Sequence, residues 1–456
     1  MQFNLPDEVK KILSDFRKNN HEIYIVGGAV RDLLMEKTVT DWDFTTNATP
    51  DEILKVIPDG FYDNKFGTVG VKFENFSKPF EITTYRTEFG YSDNRRPDKI
   101  AWGKTLKEDL ARRDFTVNAL ALRAVLSIKY KVLGTELVDL YNGLEDLKNK
   151  VLRAVGDPSE RFNEDALRML RAVRIAGELK FEIEQNTLSA IKNNATLINK
   201  IAKERIKDEL FKILKGDNSY DGFIHLKETG LMDQILPELT KCFGVEQKSP
   251  NRHHIYDVGT HLLMSLKHCQ SSDPITRFAT LLHDVGKPQT YKKLDSEVIT
   301  FYNHEIVSTK IARNIADRLR LSNAEKDKLI KLIRYHQFTV SEHQTDSAVR
   351  RFIRNVGLEN VEDMLELRRA DRLGSGARES SWRLDDFKKR LIEVQKQPFS
   401  IKDLKINGKD VMDTLNIPSG PKVGEVLEKL FKEVEEKTIE NDRDILLSKL
   451  NIFKYE

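Results

Sequence analysis

The residues IVGGAVRD at positions 25–32 and DWDFT at positions 41–45 decide the fold of this chain. The first stretch passes from apolar β-branched residues through two glycines into a helix-compatible run, which predicts a strand, a tight turn and a helix. Glycine lets the backbone approach a ligand closely, and a helix N-terminus favours an anion, so Arg31 is a candidate contact for a triphosphate. Such a turn on its own is also typical of an ordinary strand-to-helix connection.

Two aspartates, Asp41 and Asp43, are separated by one residue on the second predicted strand. Side chains at i and i+2 of a strand project from the same face, so both carboxylates converge while Trp42 points into the core. Close carboxylates repel each other unless a cation neutralises them, and carboxylate oxygens suit Mg²⁺. In two-metal phosphoryl transfer such ions hold the attacking hydroxyl and the leaving pyrophosphate. The preceding glycine turn favours this metal site over a pair of solvated surface aspartates, and Glu81 on a neighbouring predicted strand is either a third carboxylate or a structural residue.

Around this stretch, short runs rich in β-branched and aromatic residues predict strands, and runs with apolar residues at helical spacing predict helices. Strands are predicted at residues 22–26, 41–45, 68–73 and 80–85, and short helices at residues 29–35 and 51–56. From residue 144 onward the pattern is helical, with helices predicted at residues 164–180, 186–193 and 202–214. The predicted fold class is therefore α+β, with a small mixed-sheet head followed by an all-α part.

The composition excludes several classes of protein. Hydrophobic residues make up 39% and charged residues 32% of the 456 residues, which is typical of a folded, soluble chain. No window approaches ~18 consecutive apolar residues and no signal peptide is recognisable, so we expect no membrane span and a cytoplasmic location. The only cysteines, Cys242 and Cys269, exclude a disulfide framework and a zinc knuckle. Because the net charge is only +3, any RNA-binding surface must come from local clustering of Lys and Arg.

Six sequence motifs, in order along the chain, resemble those of one enzyme family. They are GGAVRDLL at residues 27–34, DWDF at 41–44, TTYRTEFGY at 83–91, RRP at 95–97, RRDFTVN at 112–118 and EDALRMLRAVRI at 164–175. Over at least residues 23–214 the chain resembles the class II tRNA nucleotidyltransferases and bacterial poly(A) polymerases. The resemblance implies a polymerase β-like nucleotidyltransferase head on a helical neck.

The resemblance also implies roles for individual residues. These are Asp41 and Asp43 as catalytic ligands of Mg²⁺, Gly28 and Arg31 as contacts of the nucleotide phosphates, and Arg113 and Asp114 as contacts of the bound nucleotide. Asp114 can accept a hydrogen bond from a ribose hydroxyl and so favour ribonucleotides. The alternative is that the residues around Asp114 form a surface ion cluster, which contributes little to stability.

One predicted helix carries an aspartate and three arginines on the side opposite its apolar stripe. They are Asp165, Arg168, Arg171 and Arg174. Cytosine and adenine both present an amino donor beside a ring-nitrogen acceptor, so Asp165 can accept from the amino group while Arg168 donates to the ring nitrogen; uracil and guanine present the reverse pattern. The resemblance assigns this selecting role to the EDxxR pattern, and a nucleotide-holding role to Arg171 and Arg174. A solvated, salt-bridged helix face is the alternative.

Histidines and aspartates recur through the second helical block in an ordered set. They are His261, His283, Asp284, His304, His336 and Asp371. Neutral imidazoles and carboxylates are competent ligands for divalent metals. The set resembles the HD superfamily of metal-dependent phosphohydrolases, and in particular its members that can hold two metals. The alternatives are scattered polar histidines, or a fold that is kept while catalysis is lost.

The expected organisation is a nucleotidyltransferase head at residues 1–143, a helical neck with the selecting helix at 144–242, an HD-type domain at 243–375 and a helical tail at 376–456. Residues 404–434 of the tail resemble the part of the bacterial family that grips tRNA, and their lysines can bind phosphates. The expected activity is addition of CCA to the 3′ end of tRNA from CTP and ATP. The expected cofactors are Mg²⁺ at the first site and a divalent metal of unspecified identity at the second, and neither DNA nor a membrane is an expected partner.

Other activities remain open at this point. A poly(A) polymerase or an A-adding enzyme of the same family is the nearest; residues 67–71 (GTVGV), 83–91 and 95–97 resemble the CCA-adding branch more closely, and residues 88–100 correspond to a loop that CC-only enzymes are thought to lack. An HD-type phosphodiesterase with an RNA-binding front half belongs to another class, as does a noncatalytic RNA-binding protein. Neither explains the charged residues of the first half.

Overall fold

The structure is a computed structural model that describes residues 3–62, 67–89, 99–127, 132–247, 255–294, 298–338, 345–395, 401–436 and 438–453. The motif at residues 95–97 and most of the predicted loop at residues 88–100 lie outside the described residues. The chain forms two compact units, of which the first comprises Met1–Thr240 with Asp317–Leu321 and the second Lys241–Ala316 with Ser322–Glu456. The division into four domains stays a prediction.

The first unit is built on a mixed sheet. The strands of this unit are β1 Ile23–Val26, β2 Asp43–Thr46, β3 Phe61–Tyr62, β4 Thr68–Val71, β5 Phe80–Thr84, β6 Arg86–Phe89, β7 Lys99–Trp102, β8 Leu120–Ser127, β9 Val132–Asp139, β10 Val151–Leu152 and β11 Glu182–Ile183. In the described part of the chain seven strands form one sheet in the order β3–β4–β5–β2–β1–β8–β9. The β2–β5 pair is parallel and its neighbours are antiparallel, which confirms the predicted mixed sheet.

The central strand β1 is buried on both faces of the sheet. Its four residues are all apolar, and successive side chains project to opposite faces. Ile23 and Ile25 of β1 belong to one apolar cluster, which also contains Phe16 of the first helix. Tyr24 and Val26, the alternate residues, belong to a second cluster. Full burial of each large apolar side chain contributes about 1.5–3 kcal/mol. The sheet is therefore a rigid base for the residues at the ends of β1 and β2.

Four helices of the first unit lie within one residue of their predicted bounds, others were not predicted individually, and one prediction is wrong. The two-residue strands β10 and β11 also interrupt the neck that was predicted to be all-α. The helices of this unit are α1 Asp7–Lys18, α2 Gly28–Leu34, α3 Pro50–Val56, α4 Leu106–Ala111, α5 Gly143–Asn149, α6 Pro158–Glu164, α7 Leu167–Leu179, α8 Gln185–Asn194, α9 Lys203–Lys215, α10 Ser219–Glu228, α11 Leu231–Ile235 and α12 Pro237–Thr240. The prediction of one helix over residues 164–180 is wrong, because α6 ends at Glu164 and Asp165 has extended backbone angles. The carboxylate of Asp165 accepts the backbone N–H of Leu167 at 3.0 Å, and this bond caps the start of α7.

The second unit is helical apart from two short strands, a difference from the all-α prediction. Its elements are α13 Val258–His268, α14 Pro274–Leu282, α15 Lys287–Thr290, β12 Lys292–Lys293, β13 Ile299–Thr300, α16 His304–Arg318, α17 Asn323–Tyr335, α18 Asp346–Val356, α19 Val361–Gly374, α20 Trp382–Val394, α21 Gly408–Leu415, α22 Pro421–Glu435 and α23 Arg443–Phe453. Helix α13 packs against α14 and α19. Among all helices of the described residues, none combines the length and the apolar character needed to cross a membrane.

Candidate functional site

The turn after β1 brings Arg113 beside Asp43. Gly27 has a φ of +71°, a conformation that residues with a side chain rarely adopt. A Cβ atom at Gly27 would lie 3.2 Å from Nη1 of Arg113 and 3.5 Å from Oδ2 of Asp43. At the next residue, Gly28, such an atom would lie 3.4 Å from Nη2 of Arg31. The glycine turn is therefore the place where the predicted phosphate contacts meet the second aspartate.

Replacing Gly27 by alanine is expected to lower the free energy of unfolding by about 1–2 kcal/mol, because the positive φ of this residue is strained for any residue with a Cβ atom. The substitution should also weaken CTP binding, because the added methyl group displaces Arg113. Gly156→Ala is the matched control, since Gly156 has a φ of +72° but no atom within 4 Å of its Cβ position. Urea unfolding measures the loss of stability in both variants. CTP titration measures whether the displacement of Arg113 lowers the affinity for CTP. Equal CTP affinity in the two variants would contradict a role for this close packing.

The two aspartates occupy different environments. Strand β2 begins at Asp43, so the prediction that Asp41 also lies on the strand is wrong, although Trp42 between them is buried as expected. Asp43 is half-buried; burial raises the pKa of its carboxyl, and the nearby Arg113 guanidinium only partly opposes this. Asp41 is exposed, and its Oδ2 lies 2.7 Å from Nζ of Lys78. Asp43 therefore faces the glycine turn, whereas Asp41 contacts a lysine that was not predicted.

Glu81 lies directly opposite Asp43 on the parallel strand β5. Paired residues on neighbouring strands project from the same face, so the backbone places Glu81 beside Asp43. The ladder reaches its end at the hydrogen bond from the Glu81 N–H to the Trp42 carbonyl, which explains why Asp41 extends beyond the strand. Three or more potential metal ligands converge, within the described residues, only in the second unit, so the role of Glu81 as a metal ligand stays a prediction.

Asn118 joins the predicted phosphate contact to the predicted nucleotide contact. Its Oδ1 accepts a hydrogen bond from Nη1 of Arg31 at 2.9 Å, and its Nδ2 donates to Oδ1 of Asp114 at 3.1 Å. The other carboxylate oxygen of Asp114 accepts from Nε of Arg171 at 2.8 Å. Asn118 was not singled out from the sequence, where its place at the end of RRDFTVN was the available signal. The network brings together residues from three separate parts of the chain.

Asp114 is ionised because charged and polar side chains surround its carboxylate. Burial alone would raise the pKa of its carboxyl, but the Arg171 guanidinium and the Asn118 amide lower it to about 2. The side chain of Asp114 is 10% exposed and that of Arg113 is 16% exposed, so a solvated surface cluster does not describe them. Nε of Arg113 is buried and has no hydrogen-bond partner among the described residues. This leaves a buried donor suited to an anionic ligand.

Asp165 and Arg168 are close in the chain but hold different partners. Oδ2 of Asp165 accepts from Nη2 of Arg205 at 2.9 Å. Arg168 donates to Oε2 of Glu164 at 2.6 Å and to the backbone carbonyl of Arg112 at 3.0 Å. Arg205 lies on α9, so its contact with Asp165 has no signal in the local sequence. Arg168 therefore connects the start of α7 to the chain segment that carries Arg113 and Asp114.

Arg174 is directed to a different set of partners. Its Nε donates to Oε2 of Glu209 at 2.7 Å and its Nη1 to Oε2 of Glu178 at 2.9 Å. Of the two arginines expected to hold the nucleotide, the structure thus brings Arg171 to Asp114, while Arg174 binds two glutamates. A nucleotide contact from Arg174 stays a prediction.

In the second unit the predicted histidines and aspartates converge. Nε2 of His261 lies 3.2 Å from Nε2 of His283 and 3.3 Å from Oδ1 of Asp371. Oδ2 of Asp284 lies 3.4 Å from Nε2 of His261 and 3.3 Å from Nε2 of His283. These residues come from α13, from the end of α14 and from α19. The structure therefore brings together residues that are far apart in the sequence.

The other two histidines, His304 and His336, lie near the second carboxylate oxygen of Asp284. Oδ1 of Asp284 lies 2.9 Å from Nε2 of His304 and 3.6 Å from Nε2 of His336. Two overlapping groups have all their ligand atoms within 4.8 Å of one another, one made of His261, His283 and Asp371 and the other of His283, Asp284 and His336. The interpretation of these residues as scattered polar histidines is wrong.

Backbone carbonyls orient three of these imidazoles. The Nδ1–carbonyl distances are 2.8 Å from His283 to Thr280, 2.8 Å from His304 to Phe301 and 2.7 Å from His336 to Ile333. An Nδ1–H bonded to a carbonyl leaves the Nε2 lone pair directed at the cluster, which is the usual arrangement of metal-binding histidine.

The carboxylates of this cluster are paired with cationic groups. Although burial alone would raise it, the pKa of Asp284 is held well below its usual range by Lys287, whose Nζ lies 2.6 Å away, and by His283. Burial would lower the pKa of His283, but Asp284 and Asp371 raise it to about 10. Burial lowers the pKa of His336, which therefore stays neutral. A bound Mn²⁺, iron, Ni²⁺ or Zn²⁺ would replace the proton of His283, and the carboxylates together with the imidazole nitrogens would then form its donor set.

Comparison with known proteins places the whole chain. Three family models match it: "Poly A polymerase head domain" at residues 23–153, "Probable RNA and SrmB-binding site of polymerase A" at residues 180–243, and tRNA nucleotidyltransferase domain 2 at residues 296–450. The CCA-adding enzyme of Ligilactobacillus salivarius is 34% identical over 449 residues, which are 97% of this chain and 96% of that protein. This chain belongs to the family of CCA-adding enzymes.

Other CCA-adding enzymes agree with this assignment. The CCA-adding enzyme of Enterococcus faecalis is 32% identical over 453 residues, which cover 97% of this chain and 96% of that protein. The structure of the Bacillus stearothermophilus CCA-adding enzyme in complex with CTP has a TM-score of 0.71 and 25% identity, and the match covers 98% of this chain and 97% of that chain. The chain is thus an enzyme of the tRNA nucleotidyltransferase class, and the predicted family is confirmed. The HD-type domain stays a prediction.

The carboxylates of Asp41 and Asp43 fit the Mg²⁺ expected in a CCA-adding enzyme. Mg²⁺ is usually bound by one or two protein carboxylates, and substrate phosphates and water complete its coordination. Asp41 is exposed, Asp43 is half-buried, and the buried Nε donor of Arg113 lies in the guanidinium next to Asp43. Two carboxylates beside an anion-binding group match that requirement.

Proposed function

We propose that this chain adds CCA to the 3′ end of tRNA, with CTP and ATP as its substrates. The observation that carries the proposal is the network of partly buried arginines at the Gly27 turn, where Arg113 lies beside Asp43 and Arg31 is joined through Asn118 to Asp114. Such a network binds the triphosphate of a nucleotide next to a pair of carboxylates. The relatives described above are CCA-adding enzymes, and one of them was solved in complex with CTP.

In this proposal Asp41 and Asp43 hold two Mg²⁺ ions, which would neutralise the charge on the attacking 3′ oxygen and on the leaving pyrophosphate. Arg31 and Arg113 hold the triphosphate, because the planar guanidinium matches the geometry of phosphate oxygens. The RNA 3′ hydroxyl loses its proton to solvent, its oxygen forms a bond to the α-phosphorus, and the bond from that phosphorus to pyrophosphate breaks. The protein thus contributes orientation and charge.

Asp114 is proposed to recognise the ribose. Its carboxylate already accepts from the backbone N–H of Phe115, from Asn118 and from two nitrogens of Arg171. A carboxylate has about four lone-pair sites, so these donors occupy its capacity. A ribose hydroxyl therefore binds by replacing one donor of Arg171, and that donor becomes free to contact the nucleotide.

Asp165 and Arg168 are proposed to select the base. Oδ2 of Asp165 accepts from Arg205, which leaves a lone pair for the amino group of cytosine or adenine. Arg168 uses Nη1 for Glu164 and Arg161 and one hydrogen of Nη2 for Arg112, so donors remain on Nε and Nη2 for the ring nitrogen. Uracil and guanine would set a carbonyl against the Asp165 carboxylate and a ring N–H against the arginine.

Asp165→Ala is expected to lower incorporation of both CTP and ATP by about ten- to hundredfold, because a hydrogen bond to a charged group contributes about 1.5–3 kcal/mol. The use of UTP and GTP relative to CTP should rise, since the acceptor that opposes their carbonyls is gone. Incorporation of all four nucleotides into tRNA that lacks CCA measures both effects.

The matched control is Asp208→Ala on α9. Asp208 is an aspartate of the same unit on the helix that carries Arg205, but its side chain is 63% exposed and forms only a 3.9 Å ion pair with Nζ of Lys207. A solvated helix face would make both substitutions equally mild. If Asp165→Ala discriminates among the four nucleotides as Asp208→Ala does, while both variants stay folded, then Asp165 does not select the base.

One assay tests the proposed activity against its nearest alternative. Purified protein is incubated with labelled CTP, ATP, UTP or GTP and with tRNAs that end before, within or after CCA. A CCA-adding enzyme extends the first tRNA with CTP and stops after one A. A poly(A) polymerase or A-adding enzyme, which the match to a poly(A) polymerase head domain keeps as the alternative, would use ATP alone or continue past the first A.

A second activity is proposed for the histidine cluster, which we interpret as an HD-type, metal-dependent phosphohydrolase site. The observation that favours it is the arrangement of four Nε2 atoms around the carboxylate of Asp284, with Asp371 beside two of them. A bound divalent metal would activate water and polarise a phosphoester.

We also propose that residues 376–456 form a tRNA-binding tail, in which exposed lysines of α22 such as Lys422 and Lys429 contact phosphates.

A further inference from the structure

The connection between β4 and β5 is fixed next to Asp41 by aromatic packing. The rings of Phe73 and Phe76 lie 4.9 Å and 4.7 Å from the ring of Phe80, measured between centroids. Phe80 in turn packs on Trp42 at 6.2 Å, and Trp42 directly follows Asp41 in the chain. We call residues 72–79 the aromatic loop. Its anchoring to the sheet explains how an exposed segment keeps a defined position beside the catalytic aspartates.

The aromatic loop presents Lys78 to Asp41. The Nζ of Lys78 lies 2.7 Å from Oδ2 of Asp41, and the two side chains are 56% and 51% exposed. An exposed ion pair of this kind contributes little to stability, so it can be exchanged for another partner at small cost. The lysine also has a flexible four-carbon stem and a compact charge, which can move from a carboxylate to a nearby phosphate.

Asp41 and Asp43 have different neighbouring residues, so the two sides of the site can be distinguished. Asp43 lies against Gly27 and Arg113, the side proposed to hold the triphosphate. Asp41 lies against Lys78. In an in-line displacement the attacking oxygen enters opposite the leaving pyrophosphate. The RNA 3′ end must therefore approach from the side of Asp41, where the aromatic loop lies.

We infer that Lys78 binds the last phosphodiester of the RNA acceptor and releases Asp41 when it does so; the inference rests on the proposed function of Asp41 as a metal ligand. That phosphodiester is separated from the attacking 3′ oxygen by a single ribose, so it lies next to the residue that holds the metal. Lys78 also lines an open cavity of about 330 Å³ that is formed by residues of the aromatic loop alone, including the acidic Glu74. Lys78 thus neutralises Asp41 in the free protein and an RNA phosphate in the complex.

The test compares Lys78→Met and Lys78→Arg with Lys55→Met, a control at an exposed lysine of α3 in the same unit. Affinity for a tRNA that ends before CCA is measured by fluorescence anisotropy without CTP, so the readout does not depend on catalysis. Lys78→Met should bind this tRNA roughly three- to tenfold more weakly, Lys78→Arg should retain most of the affinity, and Lys55→Met should match wild type. The slope of log affinity against log salt should fall by about 0.7 in Lys78→Met, as for one lost phosphate contact, and CTP affinity should stay unchanged.

A tRNA whose last phosphodiester is a neutral methylphosphonate identifies the partner of Lys78. Wild type should lose affinity for this tRNA by the same factor as Lys78→Met loses for ordinary tRNA, and Lys78→Met should show no further loss. Additive losses, or tRNA binding by Lys78→Met at the wild-type level, would overturn the inference. Failure of the proposed function is a separate result, because wild-type protein would then fail to add CCA in the incorporation assay, whereas the binding measurements do not depend on incorporation.

Discussion

Asp43→Asn and Asp41→Ala are each expected to reduce incorporation of CTP and ATP by about 10³-fold or more. A metal ion contributes several kcal/mol to transition-state stabilisation, and each 1.36 kcal/mol is a factor of ten in rate. Asparagine preserves the shape of the half-buried Asp43 side chain beside Arg113, so the fold is retained while the charge is lost. Single-turnover incorporation of labelled CTP at saturating Mg²⁺ measures the loss.

Asp59→Asn provides the control, because Asp59 is an exposed carboxylate of the same unit outside the site. Circular dichroism and the midpoint of urea unfolding confirm that each variant is folded. Incorporation within about tenfold of wild type by either Asp41→Ala or Asp43→Asn would show that the carboxylates do not hold the catalytic metals, since the several kcal/mol of metal stabilisation would remain.

Asp284→Asn is expected to abolish divalent-metal-dependent hydrolysis of a 2′,3′-cyclic phosphate or a simple phosphoester, with a loss of about 10²-fold or more. Asp284 lies within reach of the Nε2 atoms of all four histidines of the cluster. The amide keeps the shape of the buried side chain but removes the charge that attracts a cation. CTP incorporation should remain within about twofold of wild type, because the residues of the two sites lie in different compact units.

Metal content after dialysis is measured beside both activities, and His283→Ala serves as a second variant. His268→Ala is the control, since His268 lies on α13 with His261 but takes no part in the cluster. Hydrolysis that persists in Asp284→Asn would assign it to another site or to a contaminant. Loss of CTP incorporation in a folded His283→Ala protein would contradict the independence of the two sites.

Local sequence rules predicted the glycine turn and the burial of Trp42, whereas the metal-binding role of the aspartate pair stays a prediction. The alternation of Asp41, Trp42 and Asp43 predicted one buried ring between two carboxylates, and the ring of Trp42 is buried. The prediction erred on where the strand begins, because that depends on where pairing with β5 ends. The last ladder bond joins Glu81 to the carbonyl of Trp42, a partner 39 positions away that a local pattern does not contain.

The break at Asp165 was missed for a physical reason. Ala166 returns to helical backbone angles directly after the extended Asp165, so the buried apolar residues that follow, such as Met169 and Leu170, keep their helical spacing. Periodicity therefore continues across the break. Arg205 binds Asp165 from 40 residues away and Asn118 binds Arg31 from 87 residues away, so neither contact has a local signal. The histidine cluster was predicted from the order of its residues, while its distances required the folded unit.

The residues of the histidine cluster are far apart in the sequence, and this affects how the chain folds during translation. The members of the cluster run from His261 to Asp371, so no short segment of the chain contains the whole of the proposed metal site. Contacts between residues far apart in sequence form slowly, and domains nearer the N-terminus generally fold first as the chain emerges. The residues of the nucleotidyltransferase site have all been synthesised once Arg205 has left the ribosome. A chain truncated between Arg205 and Asp371 would therefore keep every one of those residues and lack a complete metal cluster.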